Sequence, residues 1–432
     1  MPTIKDSIER FYKDYQRTDI LRNSGTIRQP SKYLSYGRHT IDGDDIEAVT
    51  VALKSTHLTQ GPRVKHFEEA ISNVTESRYA VAVNSGTSAL HLACRAAGIG
   101  PGDEVITSPN TFVASANCVV YCGGRPIFAD IDPHTYNIAP AEIARKITQR
   151  TKAVIPVHFA GQSCDMESIA QIVKEAEAKY RHRIVIIEDA CHVFGSRYKG
   201  TPVGSCRFSD MVVMSFHPVK HITTGEGGAV LTNDPVLDRM VRKLRSHGIT
   251  NDPKEFVYLQ QGFSGSGEGM VNPWYYEQQE LGYNYRLTDI QCALGISQIA
   301  KLELFQTRRR AIVRQYQSAF QDLPCIQRPF ESPDCESIFH LYVLGIDFEK
   351  IGRSRAECMV HLNNRGIQTQ VHYIPVHTQP FYQQQFGTHW GDCPRAEEYY
   401  RRCLSIPLSP LMTDRDVGRV IDEITALVRS HI

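Results

Sequence analysis

At 432 residues and 41% hydrophobic content, the chain is long enough to bury a large core and to divide into a bigger and a smaller domain. Its 48 basic and 47 acidic side chains leave a net charge of +1, which gives no electrostatic basis for a nucleic acid or other polyanion partner. The 12 cysteines are scattered without a CxxC or Cys/His cluster, so a reduced cytoplasmic enzyme is expected, with neither a disulfide framework nor a metal.

Residues 1–32 read as a charged N-terminal extension without the apolar core of a signal peptide. Ile4, Ile8, Phe11 and Tyr15 recur at helical spacing and predict a short docking helix. No apolar stretch reaches membrane-spanning length, so no membrane partner is expected. Residues 33–64 form a second segment: a polar strand-like piece, a helix, and an irregular stretch. Asp42 is the predicted N-cap, with Asp45 three residues on and Ile46, Val49 and Leu53 along one face.

Residues 65–300 are predicted to form a large α/β domain. Apolar, β-rich runs (YAVAVN, EVITS, RPIFADI, KAVIPVH, RIVIIED, DMVVMSF and GAVLTN) alternate with helical patterns such as TSALHLACRAAG, ASANCVVYCG and SIAQIVKEAEAKY. Near-continuous apolar strands separated by helices indicate a mostly parallel sheet covered by helices on both faces. PKEFVYLQQGFSGSGEGMVNP is Gly/Ser-rich and reads as a long surface loop. Residues 301–432 are expected to form a smaller C-terminal α/β domain. A long charged helix, ISQIAKLELFQTRRRAIVRQYQSAF, leads into it, and helix DVGRVIDEITALVRS ends it.

Four places along this framework carry candidate chemistry. Asn84-Ser85-Gly86-Thr87-Ser88 joins a strand to a helix, where unpaired amides, the positive dipole end and the Thr87 and Ser88 hydroxyls suit a phosphate. An ordinary helix cap is the alternative. Asp189 ends an apolar strand, where α/β proteins bind ligands; a helix N-cap or structural carboxylate is the alternative. Glu188 is expected on the opposite face. His192 follows, either as a ligand contact or as a satisfied polar residue. Ser215-Phe216-His217-Pro218-Val219-Lys220 leads into Thr223-Thr224-Gly225-Glu226-Gly227-Gly228, and that Gly-rich flank lets Lys220 project into a cleft.

A cleft lysine and a strand-end carboxylate suit pyridoxal phosphate (PLP): the amine forms an imine with the aldehyde, and the carboxylate keeps the pyridine nitrogen protonated. Phe112 is placed to stack on a planar ring, or else belongs to the core. Asn284 and Arg286, just before a helix, offer an anion contact across a subunit boundary. Capping by Thr288 or Asp289 is the plainer account.

Taken in order, these motifs resemble the fold-type I PLP-dependent aminotransferases of nucleotide-linked keto-sugars, the DegT/DnrJ/EryC1/StrS group. The resemblance runs from about Tyr33 to near the C-terminus and includes LTQGPRVKHFEEA, NSGTSALHLAC, GPGDEVITSPNTFVASAN, IIEDACHVFGSRYKG, SFHPVKHITTGEGG and VHYIPVHTQPFY. PVHFAGQSCDM, SFHPVKHITTGEGG and YYEQQELGYNYR are most similar to members acting in pseudaminic acid biosynthesis.

The resemblance implies PLP bound covalently to Lys220, Asp189 on the ring nitrogen, Phe112 on the ring face and His192 near the phenolic oxygen. It assigns the phosphate to Gly86, Thr87, Ser88 and Ser215, assisted by Asn284 of a second subunit in a homodimer. Tyr36, the stretch Thr56, His57, Leu58 and Thr59, and His372, Tyr373, Ile374 and Pro375 are implied to line a sugar-nucleotide pocket. The implied reaction is ping-pong transamination, with L-glutamate as donor and a UDP-linked 4-keto-6-deoxy-HexNAc as acceptor. Its product would be UDP-4-amino-4,6-dideoxy-N-acetyl-β-L-altrosamine. Two rivals remain: a sugar dehydratase, whose relatives carry histidine where Lys220 stands, and a sugar-nucleotide sensor without turnover.

Overall fold

The computed structural model describes residues 33–265 and 269–429, so the helix expected between Ile4 and Tyr15 lies outside the described residues. All seven apolar runs form strands of one sheet: β1 (Tyr79–Val83), β2 (Glu104–Thr107), β3 (Arg125–Phe128), β4 (Thr151–Ile155), β5 (Val185–Asp189), β6 (Met211–Ser215) and β7 (Gly228–Thr232). Their spatial order is β1-β7-β6-β5-β4-β2-β3. Only β7 runs against its neighbours, because the loop of residues 216–227, without a helical crossover, returns it antiparallel to β6. The others pair parallel, as strands joined through helical crossovers must.

Alternation along each strand divides the core in two. Val81, Val83, Val105, Ala153, Ile187, Val213 and Val230 face one side, packing against α3 (Gly86–Ala96) and α4 (Ala114–Tyr121). Ala80, Ala82, Ile106, Val154, Ile186, Met214 and Leu231 face the other, against α2 (Pro62–Thr75) and α5 (Met166–Tyr180). Helices therefore cover both faces of a mostly parallel sheet. A separate core forms around the sheet β8 (Ile326–Gln327), β9 (Tyr342–Ile346) and β10 (Cys403–Ile406), beside α7 (Leu302–Ala319) and α8 (Asp414–Arg429). Among the described residues no helix is long and apolar enough to cross a membrane.

Two local expectations are corrected. In α1 (Gly43–Leu53), Asp42 and Asp45 do form a capping box, yet Ile46 and Leu53 are exposed and the buried positions are Asp45 and Ala52. That side packs on α6 (Asp289–Ile299), where Gln298 donates to Asp45 and Lys301 pairs with both Asp42 and Asp45. The same ion pairs explain the second correction. The charged helix expected to run unbroken from Ile296 is split, with α6 ending at Ile299 and α7 starting at Leu302. Lys301 sits in the break and turns its ammonium to those aspartates.

Glu68 of α2 ties down the strand that leads into the site. It accepts from the Ala82 amide at 2.9 Å, from Arg245 at 2.8 Å and from Arg242 at 2.7 Å, while 7% exposed. Removing one partner of such a buried cluster leaves stranded charge, so Glu68→Ala is expected to cost about 3–5 kcal/mol. A thermal melt checks this: an unchanged midpoint refutes it.

Candidate active site

Three strand ends meet at one edge of the sheet. Asp189 closes β5, Ser215 closes β6, and Gly228 opens the antiparallel β7. The register sets Gly228 between Ser215 on one side and Val83 on the other, so the turn after β1 lands beside them. By strand alternation Asp189 and Ser215 fall on the face of α3 and α4. Glu188 falls on the other, as expected, paired with His158 at 2.7 Å.

Only glycines permit this approach. A Cβ on Gly228 would sit 2.6 Å from the Ser85 carbonyl carbon, and one on Gly86 would sit 2.9 Å from Ser215 Cβ. Ser85 is the N-cap of α3; its hydroxyl accepts from the Ser88 amide at 3.0 Å. Ser88, expected as a phosphate donor, gives its hydroxyl proton to Asn84 Oδ1 at 2.6 Å and so stiffens the turn. The amides of Gly86 and Thr87 precede the first intrahelical bond and, with the exposed Thr87 side chain and the neighbouring Ser215 hydroxyl, make an anion cradle. A phosphate monoester fits it.

Lys220 follows β6 on a loop closed by bonds from its own amide to the His217 carbonyl, 2.8 Å, and from Thr224 to Phe216, 3.0 Å. Among the described residues its ammonium makes no hydrogen bond or ion pair. Burial pushes its pKa below the ordinary lysine value, against weaker upward pulls from Cys191 and Asp189. An uncommitted amine with a depressed pKa is a nucleophile and a base. Asp189 is 5% exposed; its Oδ2 accepts from Ser115 at 2.6 Å and its Oδ1 from the Cys191 amide at 3.2 Å.

His192 is buried. Its Nδ1 accepts from the Ala160 amide at 3.3 Å, which leaves the proton on Nε2, 3.3 Å from the Tyr373 hydroxyl. Burial, reinforced by Lys220 and neighbouring histidines, holds its pKa well below the usual value, so the ring is neutral. Phe112 is 58% exposed, which removes the core alternative, and its ring centroid lies 6.4 Å from that of Tyr373. Tyr36 joins the same wall, 5.2 Å from the His372 ring. His372 is fixed to Ser405 at 2.8 Å, Ile374 is exposed, and Pro375 is buried.

Two further predicted groups are exposed. Thr56, His57, Leu58 and Thr59 are exposed and bind the start of α6, where Leu58 accepts from the Asp289 amide at 3.0 Å. Asn284 is exposed on the segment whose Tyr285 carbonyl accepts from Asn84 at 2.9 Å. Both candidate capping residues of α6 are used: Thr288 caps it, and Asp289 reaches back to the amides of Gly61 and Arg63. Sequence inspection missed Ser115, Cys191, His221 and His340. The i, i+4 hydroxyl pair Thr111 and Ser115 was a usable signal; nothing marked His340, whose ring lies 4.4 Å from that of His192.

The sheet, the cradle, the buried amine and the strand-end carboxylate suit an α/β aminotransferase, and several solved structures it resembles are of that class. The structure matches Helicobacter pylori PseC, an aminotransferase involved in pseudaminic acid biosynthesis. The TM-score is 0.82 and the identity 31%, over 92% of this chain and 100% of that one. It also matches the putative sugar aminotransferase Spr1654 of Streptococcus pneumoniae in its PLP form (TM-score 0.82, 28% identity, 93% and 100% covered). DesI, solved with its TDP-sugar product, gives 0.79 at 28% identity, over 93% and 95%. In sequence, the spore coat polysaccharide biosynthesis protein SpsC of Bacillus subtilis is 41% identical over 93% of this chain and 99% of its own. The chain belongs to the DegT/DnrJ/EryC1/StrS aminotransferase family, which it matches over residues 39–425, and it is a PLP-dependent sugar aminotransferase.

Proposed function

We propose that this enzyme aminates C4 of a UDP-linked 4-keto-6-deoxy-HexNAc, with L-glutamate as donor, as a step toward pseudaminic acid. The observation that carries the chemistry is the meeting of Lys220, Asp189 and the Gly86–Ser215 cradle at one sheet edge. The sugar is argued from the likeness to the pseudaminic acid aminotransferase.

Gly86, Thr87 and Ser215 would hold the phosphate, Phe112 the ring face, and Lys220 the aldehyde carbon through a covalent bond. Bound there, PLP supplies an aldehyde that captures amines and a ring that spreads carbanion charge. Asp189 would hold a proton at the ring nitrogen. Lys220 would take a proton from glutamate Cα and, in the second half-reaction, give one to sugar C4, and the face of delivery would set the stereocentre. His192, neutral, positions the Tyr373 hydroxyl at the wall of the pocket. Tyr36 and residues 372–375 line the sugar side. Asn284 and the stretch 56–59, exposed in the single chain, are proposed to complete the site of a second copy in a cytoplasmic homodimer.

A dTDP-linked 4-keto-sugar is the second reading, favoured by the likeness to DesI. A panel of UDP- and dTDP-linked 4-keto-sugars with L-glutamate, analysed by mass spectrometry and NMR, decides between them. We expect the UDP-linked substrate to be turned over at least tenfold faster than the dTDP-linked one, about what a single well-placed contact supplies. The reverse order overturns the first reading.

A further inference from the structure

Asp189 is supported by a buried hydroxyl chain. Ser115 Oγ donates to Asp189 Oδ2 at 2.6 Å and lies 2.7 Å from Thr111 Oγ1. Ser115 is 1% exposed and Thr111 3%. Each hydroxyl has one proton to give. Ser115 gives its proton to a carboxylate that only accepts, so Thr111 must be the donor to Ser115. The competing acceptor, the Phe112 carbonyl, is 3.4 Å from Ser115 Oγ and neutral. The Cys191 amide meanwhile donates to Oδ1 at 3.2 Å, so both carboxylate oxygens are held.

The chain running from Thr111 through Ser115 to Asp189 directs a hydroxyl proton at Oδ2 from a fixed side. With Oδ1 and Oδ2 each held by one donor, the carboxylate plane is set and each oxygen keeps a lone pair for a further partner. We propose that Thr111 and Ser115 are positioning residues that hold Asp189 oriented toward the nitrogen of a bound pyridoxal ring. They thereby set how fully that nitrogen is protonated. The inference rests on Asp189 being the ring-nitrogen partner proposed above.

The two claims separate in one experiment on the holoenzyme loaded with nitrogen-15-labelled PLP. The ring-nitrogen chemical shift and the apparent dissociation constant for PLP are read in Ser115→Ala, Thr111→Val, Ser115→Thr and Asp189→Asn. Ser115→Ala is expected to move the shift from pyridinium toward neutral pyridine and to weaken PLP binding about tenfold, the size of one hydrogen bond to a charged group. Thr111→Val moves both in the same direction by less, and Ser115→Thr restores them. Should Ser115→Ala fail to fold, the near-isosteric Thr111→Val tests the same relay. Native shifts in the hydroxyl variants, with the pyridinium signal lost in Asp189→Asn, overturn the relay alone. A native shift in Asp189→Asn overturns the role of Asp189 and the relay with it.

Discussion

Lys220→Ala is expected to give a folded protein that lacks the visible band of amine-bound PLP and has lost turnover by a factor of about 10⁴ or more. The fold should survive because the side chain makes no hydrogen bond or ion pair among the described residues, and backbone bonds at His217 and Phe216 close its loop. The activity should not survive, because Lys220 is the amine proposed to take the Cα proton. His192 is neutral, but its Nδ1 is occupied by the Ala160 amide and its Nε2 carries the proton toward Tyr373. Absorbance spectra and single-turnover assays with glutamate check both halves. Retained turnover would remove Lys220 from the chemistry and reopen the sensor and dehydratase alternatives.

How much of this is legible in the amino-acid sequence follows from how local each signal is. Seven β-rich runs form seven strands because a strand buried on both faces must be apolar nearly throughout, and that pattern is complete within five or six residues. Asp189 and Lys220 stand out because each is a polar residue at the end of such a run. Partners separated by long stretches of chain leave no local trace. The acceptor of the Ser115 proton lies 74 residues away, and His340 reaches His192 from beyond the large sheet. Helix α1 misleads for a related reason. Its apolar side reads as the buried one, but Asp45 is the residue that α6 and Lys301 bury, since its Oδ2 holds the ammonium at 2.7 Å and accepts from Gln298 there. Exposed Ile46 and Leu53 remain uncovered in the single chain.

Asp189→Asn should slow both half-reactions by about a thousandfold while leaving the fold and the phosphate cradle intact. The amide is nearly isosteric and its oxygen still accepts the Ser115 proton, so the 2.6 Å contact has a substitute. What it loses is charge. A neutral amide cannot hold a proton on the ring nitrogen, and without that positive charge the carbanion formed when Lys220 takes the Cα proton is poorly stabilised. The loss is therefore expected with glutamate and with the keto-sugar alike, because the proposed mechanism has Lys220 move a proton in each half-reaction, from glutamate Cα in one and to sugar C4 in the other. It should fall on kcat more than on KM, since the proposed substrate contacts at Tyr36 and His372 are untouched. The pH profile adds a second mark. Burial holds His192, His221 and His340 well below the ordinary histidine range, so no break near pH 6.5 is expected from them in either protein. Residual activity in Asp189→Asn should instead rise as pH falls, as solvent begins to protonate the ring nitrogen that Asp189 no longer serves. A variant slowed in only one half-reaction, or one whose residual activity fails to rise as pH falls, would place Asp189 elsewhere in the mechanism.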